Sequence, residues 1–302
     1  MRNKYLLGIV FVLLIIAVIS SRDTSASFFE GEKDNTVSVY DPNTEKITDL
    51  DLEEYVIGVV AAEMPASFNE EALKAQAIAA RTYAMYKMKH TNKSYDVIAD
   101  VSNQAYITTD KMKEKWKEEY EYYYSRVKSA VEATQNLIMT YDGEVIQSYY
   151  FAMSNGHTED AALVFGENKS YLTSVDSSWD ENVNNFIVTN NISKSEFCQK
   201  LNISCNGITI GNVEKSSTGR VNSIVISGKS FQGTEVRQLL GLRSTDFEIV
   251  MEDNMVNITT KGYGHGVGMS QYGANEMAKK GYKYDEILKY YYKNIEIRTI
   301  HV

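Results

Sequence analysis

The sequence predicts an α+β fold of mixed helices and hairpins, with a smaller α/β element inserted, behind an N-terminal membrane helix. Three observations lead there. Helical and strand-like patterns follow one another without the regular strand-helix alternation of a doubly wound sheet. In "LIMTY-DG-EVIQSYYFA" an Asp-Gly pair separates two β-rich runs, which is the favoured two-residue hairpin turn. The chain opens with an apolar run preceded by Arg2 and Lys4. With 302 residues and 43% hydrophobic content, it is long enough to bury a substantial core.

The apolar run extends from Tyr5 to about Ile19, at the short end of the roughly 17–25 residues that span a bilayer. Ser25-Ala26-Ser27 is only a fair cleavage site. Residues 1–22 are therefore read as a single-pass anchor in preference to a cleaved signal, and the positive charge ahead of the run puts the remainder outside the cytoplasm. A linker over 23–35 leads to a folded domain over 36–302. "TVSVYD" reads as a strand. In "LDLEEYVIGVVAAEM" the residues Leu52, Val56, Val59 and Glu63 fall at i, i+4, i+7 and i+11, on one helical stripe. Pro65 disfavours helical geometry at Met64, so this helix should end near Glu63. Ser67 and Glu70 have capping-box spacing ahead of the alanine-rich helix "NEEALKAQAIAARTYAMYKMK". One lysine-rich helix is expected over about 110–134, before the hairpin.

Residues 186–250 read as the inserted element. It holds a helix near "SKSEFCQKLN", strands near "GITIGNV" and "RVNSIVIS", and a helix at "GTEVRQLLGL". Cys198 and Cys205 lie within it without a metal-binding spacing, so a structural or idle role is favoured and their pairing is left open. The chain ends in a glycine-rich loop, two helices separated at Gly281, and a strand.

A net charge of −9 without a Lys/Arg block argues against a nucleic-acid partner, because phosphate binding needs clustered cations. The four histidines, 90, 157, 265 and 301, form no metal motif, so neither a metal nor another cofactor is expected. Glu63 is the informative acid. On a buried stripe at a helix C-terminus its anion is disfavoured by desolvation and by the helix dipole, which raises its pKa toward that of a general acid. The competing reading is an ion pair with Lys74 or Arg81, and periodicity does not choose between them. The tract "GYGHGVG" around His265 either presents a side chain to a ligand or is a structural turn. Ser270 and Gln271 after it offer hydroxyl and amide groups suited to sugars. Ser154, His157 and Glu159 stand too close in sequence, and without a nucleophile elbow, for a hydrolase triad. The 22 tyrosines are explained mainly by helix packing.

The strings "AAEMPASFNEEALKAQAIAARTYA", "DVSNQAYIT", "SNGHTEDAALVFGENKSYLTSVDSSWD", "GTEVRQLLGLRSTDF" and "GYGHGVGMSQYGANEMAKKGYKYDEILKYYY" together resemble the stage II sporulation protein D family, or SpoIID/LytB domain. The resemblance implies a lytic transglycosylase of peptidoglycan with its elements arranged around a substrate groove. It also implies work on strands stripped of stem peptides, beside a cell-wall amidase and membrane partners, when the mother-cell membrane engulfs the forespore. Glu63 stands at the family's catalytic glutamate; Gln104, Ser154, His265 and Gln271, shared motif residues, are groove candidates. One departure is plain: "DVSNQAYITTD" lacks the metal-binding Cys and His that some relatives carry there. A non-catalytic glycan-binding module and a scaffold that regulates an amidase are the alternatives.

Overall fold

Strand β1 (Thr36–Asp41) buries Val37 and Val39 on one face and pairs antiparallel with β2 (Lys46–Asp51). The computed structural model describes residues 35–100 and 103–300. The expected anchor and nearly all of the linker lie outside them, and among the described residues no helix is long and apolar enough to cross a membrane. Asp51 ends β2 and caps helix α1 (Leu52–Glu63), its carboxylate accepting from the Glu53 and Glu54 amides. Leu52, Val56 and Val59 are buried along the expected stripe, and the helix stops where Met64, ahead of Pro65, turns extended.

Helix α2 (Glu70–His90) begins two residues later than a Ser67 cap would place it. Its N-cap is Asn69, whose side chain accepts from the Glu71 amide. Ala72, Ala75, Ala77, Ala79, Ala80 and Ala84 are fully buried, and their small side chains let α2 run through the centre of the fold. Strand β3 (Val97–Ile98) joins β1 in parallel. The lysine-rich segment is two helices, α3 (Thr109–Trp116) and α4 (Tyr120–Glu132), not one. Lys117 adopts φ 50° between them, and Trp116 packs back on Tyr120 and Tyr123. Strands β4 (Leu137–Tyr141) and β5 (Glu144–Val145) form the expected hairpin, with Asp142 and Gly143 both at positive φ as its tight turn requires. The run beyond β5 breaks before β6 (Tyr150–Phe151). Helix α5 (Ala161–Phe165) and a 3₁₀ turn at Ser178–Asn182 follow.

Residues 187–261 have a hydrophobic cluster of their own. It is built on β7 (Ile187–Ser193), α6 (Lys194–Leu201), β8 (Ile210–Lys215), β9 (Val221–Ile226), β10 (Lys229–Gln232), α7 (Gly233–Leu240), β11 (Phe247–Met251) and β12 (Met255–Lys261). The strands make two antiparallel sheets, ordered β10-β9-β8 and β11-β12-β7. Because β12 pairs with β7 along its whole length, the element closes at Lys261, beyond position 250. Cys198 and Cys205 form a disulfide within it. The chain then re-enters the helical part through β13 (Met269–Ser270), which lies parallel to β6, and continues into α8 (Gln271–Lys279), α9 (Tyr284–Tyr291) and β14 (Glu296–Thr299) against β4. Central α2 packs on α1, α4, α8, α9 and β4, so the fold is a mixed α/β structure with several small sheets.

Candidate active site

Neither basic residue that would neutralise Glu63 does so. Arg81 is fully buried and forks onto Glu53, with Nε to Oε1 at 2.7 Å and Nη2 to Oε2 at 2.5 Å. Lys74 pairs with Glu70 and Glu71 along its own helix. Glu63 instead sits half-buried in the wall of a cleft of about 500 Å³. Burial pushes its pKa up, against three groups that favour the anion: the Ala105 amide, the Gln271 side chain and the more distant Lys115 ammonium. The Ala105 N–H donates to Glu63 Oε1 at 2.8 Å.

That amide is held in place by close packing. A Cβ on Gly58 would meet the Tyr106 ring at 2.2 Å, so a glycine in the middle of α1 is what lets the 104–107 segment lie against the helix. Ile107 N–H donates to the Gly58 carbonyl at 3.3 Å. Gln104 pins the segment from the inside. Its Oε1 accepts from Tyr55 Oη at 3.1 Å, and its Nε2 reaches the Ala80 carbonyl and Tyr150 Oη.

Two stretches of the cleft lining come from different parts of the chain. One is helical and includes Lys115, Trp116 and Tyr123; the other carries Arg243 and Tyr263, with Gln271 and Tyr272 at the base of α8. Lys115 Nζ donates to the Ala61 carbonyl at 2.7 Å, at the C-terminal end of α1. The Arg243 guanidinium lies over the exposed Tyr263 ring, 4.6 Å from its centroid. Aromatic faces and scattered polar groups suit sugar rings. Among the described lining residues Glu63 is the sole carboxylic acid.

Of the four residues expected to line a groove, Gln271 is the one that lines this cleft. It is the first residue of α8, and its Nε2 also donates to Gln76 Oε1 at 3.3 Å. Gln104 is buried with its amide engaged as above, so it positions the Ala105 amide from behind. Ser154 is fully buried, donating to Asp180 Oδ2 at 2.6 Å and to the Ser177 carbonyl at 2.9 Å. Asp180 also accepts from Ser177 Oγ and Ser270 Oγ, and burial lifts its pKa to about 6. His265 is walled by Tyr149, Phe151 and Phe165, and its Nδ1 accepts from the Val267 amide. Burial and the nearby Arg237 push its pKa down to about 4, so the ring is neutral.

The glycines of the tract are required by the turn itself. A Cβ on Gly262 or Gly268 would strike the backbone of Ser154 or Tyr149, and both residues have positive φ. The residue the tract turns toward the cleft is Tyr263. Glu159, the third member of the triad already set aside, lies apart from Ser154: Ser216 and Thr218 donate to its carboxylate, and Arg220 stands 3.7 Å away. Sequence reasoning missed Lys115, Arg243, Tyr263 and Asp180. Only the quoted blocks containing three of them, and no spacing rule, marked those stretches.

Residues 40–141, which contain Glu63, Ala105 and the helical wall, match the family described as Stage II sporulation protein. The chain is 40% identical over 269 residues to Stage II sporulation protein D of Bacillus amyloliquefaciens, covering 87% of this chain and 78% of that one. Over 270 residues it has the same identity and coverage against Stage II sporulation protein D of Bacillus subtilis (strain 168). A more distant relative is the Amidase enhancer of Bacillus subtilis (strain 168), 29% identical over 294 residues that cover 78% of this chain and 39% of that protein. At 40% identity the match covers more than two thirds of both chains, and the chain belongs to the stage II sporulation protein D family.

Proposed function

We propose that this chain is a lytic transglycosylase that cleaves the bond between N-acetylmuramic acid and N-acetylglucosamine in peptidoglycan strands stripped of their stem peptides, during the engulfment step of sporulation. The observation that carries the reading is Glu63: a half-buried carboxyl with a raised pKa, facing a cleft whose described lining holds no second acid. A retaining hydrolase needs a partner carboxyl about 5–5.5 Å away and an inverting one about 6.5–9.5 Å away. One acid suffices for the intramolecular route. Protonated Glu63 gives its proton to the bridging oxygen as the bond to muramic C1 breaks, leaving an oxocarbenium-like centre. The resulting carboxylate, supported by the Ala105 amide and Gln271, takes the proton of that sugar's C6 hydroxyl as O6 closes on C1. The product is a 1,6-anhydro ring, Glu63 is protonated again, and no water is consumed.

Residues 1–22 would tether the domain to the mother-cell membrane, facing outside the cytoplasm, beside a cell-wall amidase. The relative named Amidase enhancer favours a second reading, a glycan-binding scaffold that acts through such an amidase. Products from peptide-free strands, analysed by mass spectrometry, separate the two. The wild type should yield anhydro-muramyl ends, and Glu63→Gln should lower that rate by about 10²–10⁴-fold with an unchanged thermal melt. Reducing ends would mean hydrolysis, and binding without cleavage by the wild type would leave the scaffold reading.

A further inference from the structure

The fold commits all but one of its described arginines to a partner oxygen. Arg81 forks onto Glu53, and Arg126 donates to the Ala66 and Phe68 carbonyls. Arg220 faces Glu159, Arg237 donates to the Leu242 carbonyl, and Arg298 pairs with Glu296. Arg243 is the exception among the described residues. Its Nε is buried without a hydrogen-bond partner, and its guanidinium has only the Tyr263 ring beneath it. It lines the same cleft as Glu63. A partly desolvated guanidinium left without an acceptor is costly unless something else supplies one.

The charge of the cleft gives the sign of what is missing. The chain carries a net charge of −9, yet the described cleft lining has two cations, Lys115 and Arg243, against the single acid Glu63. Lys115 has a protein acceptor in the Ala61 carbonyl, whereas Arg243 has none among the described residues. The open position at Arg243 therefore suits an anion, and a planar guanidinium suits a carboxylate best, through two parallel hydrogen bonds. A glycan strand offers one such group. Each muramic acid bears a lactyl ether whose carboxyl is free when no peptide is attached and is a neutral amide when one is.

We propose that Arg243 is a specificity residue that pairs with the free lactyl carboxylate of muramic acid, so that the cleft distinguishes peptide-free strands from peptide-bearing ones. The proposal rests on the glycan reading above and adds the group by which the strand is recognised. The Tyr263 ring backs the guanidinium, and the carboxylate supplies an acceptor to its terminal nitrogens.

The test is a binding titration with full-length Glu63→Gln protein, which removes cleavage from the measurement. The ligands are peptide-free glycan strands in two forms, one native and one with its lactyl carboxylates converted to methylamides. The native form should bind about tenfold tighter, as expected for one charge-assisted pair at a partly exposed site. Adding Arg243→Gln should weaken the native form to the level of the methylamide form, bringing the ratio near one. Adding Arg243→Lys, which keeps charge but not the fork, should leave an intermediate ratio. Equal binding of both forms by the Arg243 protein, or a tenfold ratio that survives Arg243→Gln, overturns the specificity role and leaves glycan binding intact. Binding of neither form by a protein that melts normally overturns the glycan reading itself.

Discussion

Burial raises the Glu63 pKa against three groups that favour its anion, and this balance is adjustable one residue at a time. The acid step requires the protonated form, so the alkaline limb of the activity profile reports the Glu63 pKa. Lys115 lowers that pKa through its charge. Lys115→Met keeps the stem and removes the charge, and its expected effect is a shift of the alkaline limb to higher pH. Measuring kcat/KM on peptide-free strands across pH checks this, and an unmoved limb would remove Lys115 from the electrostatics of the acid. The residue was legible to the extent that periodicity reached. The stripe Leu52, Val56, Val59, Glu63 put the acid on the inner face and Pro65 ended the helix, but only coordinates could show Arg81 and Lys74 engaged elsewhere.

Helix α8 delivers Gln271 to Glu63, and its first turn is fastened by a buried acid far away in sequence. Asp180 accepts from Ser154, Ser177 and the α8 cap Ser270, while Ser177 also meets Tyr291 Oη at 3.0 Å. A Cβ on Gly273 would meet Tyr291 Oη at 2.2 Å, so that glycine is needed to close the knot. The folded pKa of Asp180, about 6, lies above the unfolded value. The folded state then binds the extra proton between about pH 4 and 6, and stability falls as pH rises through that window. The protonated acid contributes fully below the window, and the contribution is lost above it. Asp180→Asn should remove this slope. Wild-type stability relative to the variant should drop by about 2–3 kcal/mol between pH 4 and pH 7, read from urea midpoints, and a constant difference would contradict the assignment. Helix α8 itself was visible as a pattern. The knot was not, because its members come from four separate segments. The break at Lys117 was equally hidden, since no glycine or proline marks it.

At the scale of the whole molecule the inserted element has its own apolar cluster, yet its contact with the helical part is polar and buried. Arg220 faces Glu159 at 3.7 Å and donates to the His157 carbonyl, while Asn155 donates to Asp246 and to the Thr218 carbonyl. Both charges are almost fully buried. Arg220→Met strands the Glu159 carboxylate and should cost about 3–5 kcal/mol in chemical denaturation. Adding Glu159→Gln should recover much of it, and a single variant as stable as the wild type would show the pair to be dispensable. The strands and helices of this segment were legible as separate patterns. Its true end was not, because β12 is recognisable only by its pairing with β7. Arg243 went unread for a similar reason: an arginine between a helix and a strand carries no periodic signal.

Trp116 and Tyr123 belong to the helical part of the chain, whereas Arg243 lies within the inserted element and Tyr263 two residues past its end. The cleft is thus a pair of jaws, with the acid fixed near one and the arginine carried by the other. A change at Arg243 leaves in place the Ala105 amide, Gln271 and Lys115 that act on the Glu63 carboxyl. The acid and the arginine are therefore separable by mutation, each supported by its own stretch of the chain.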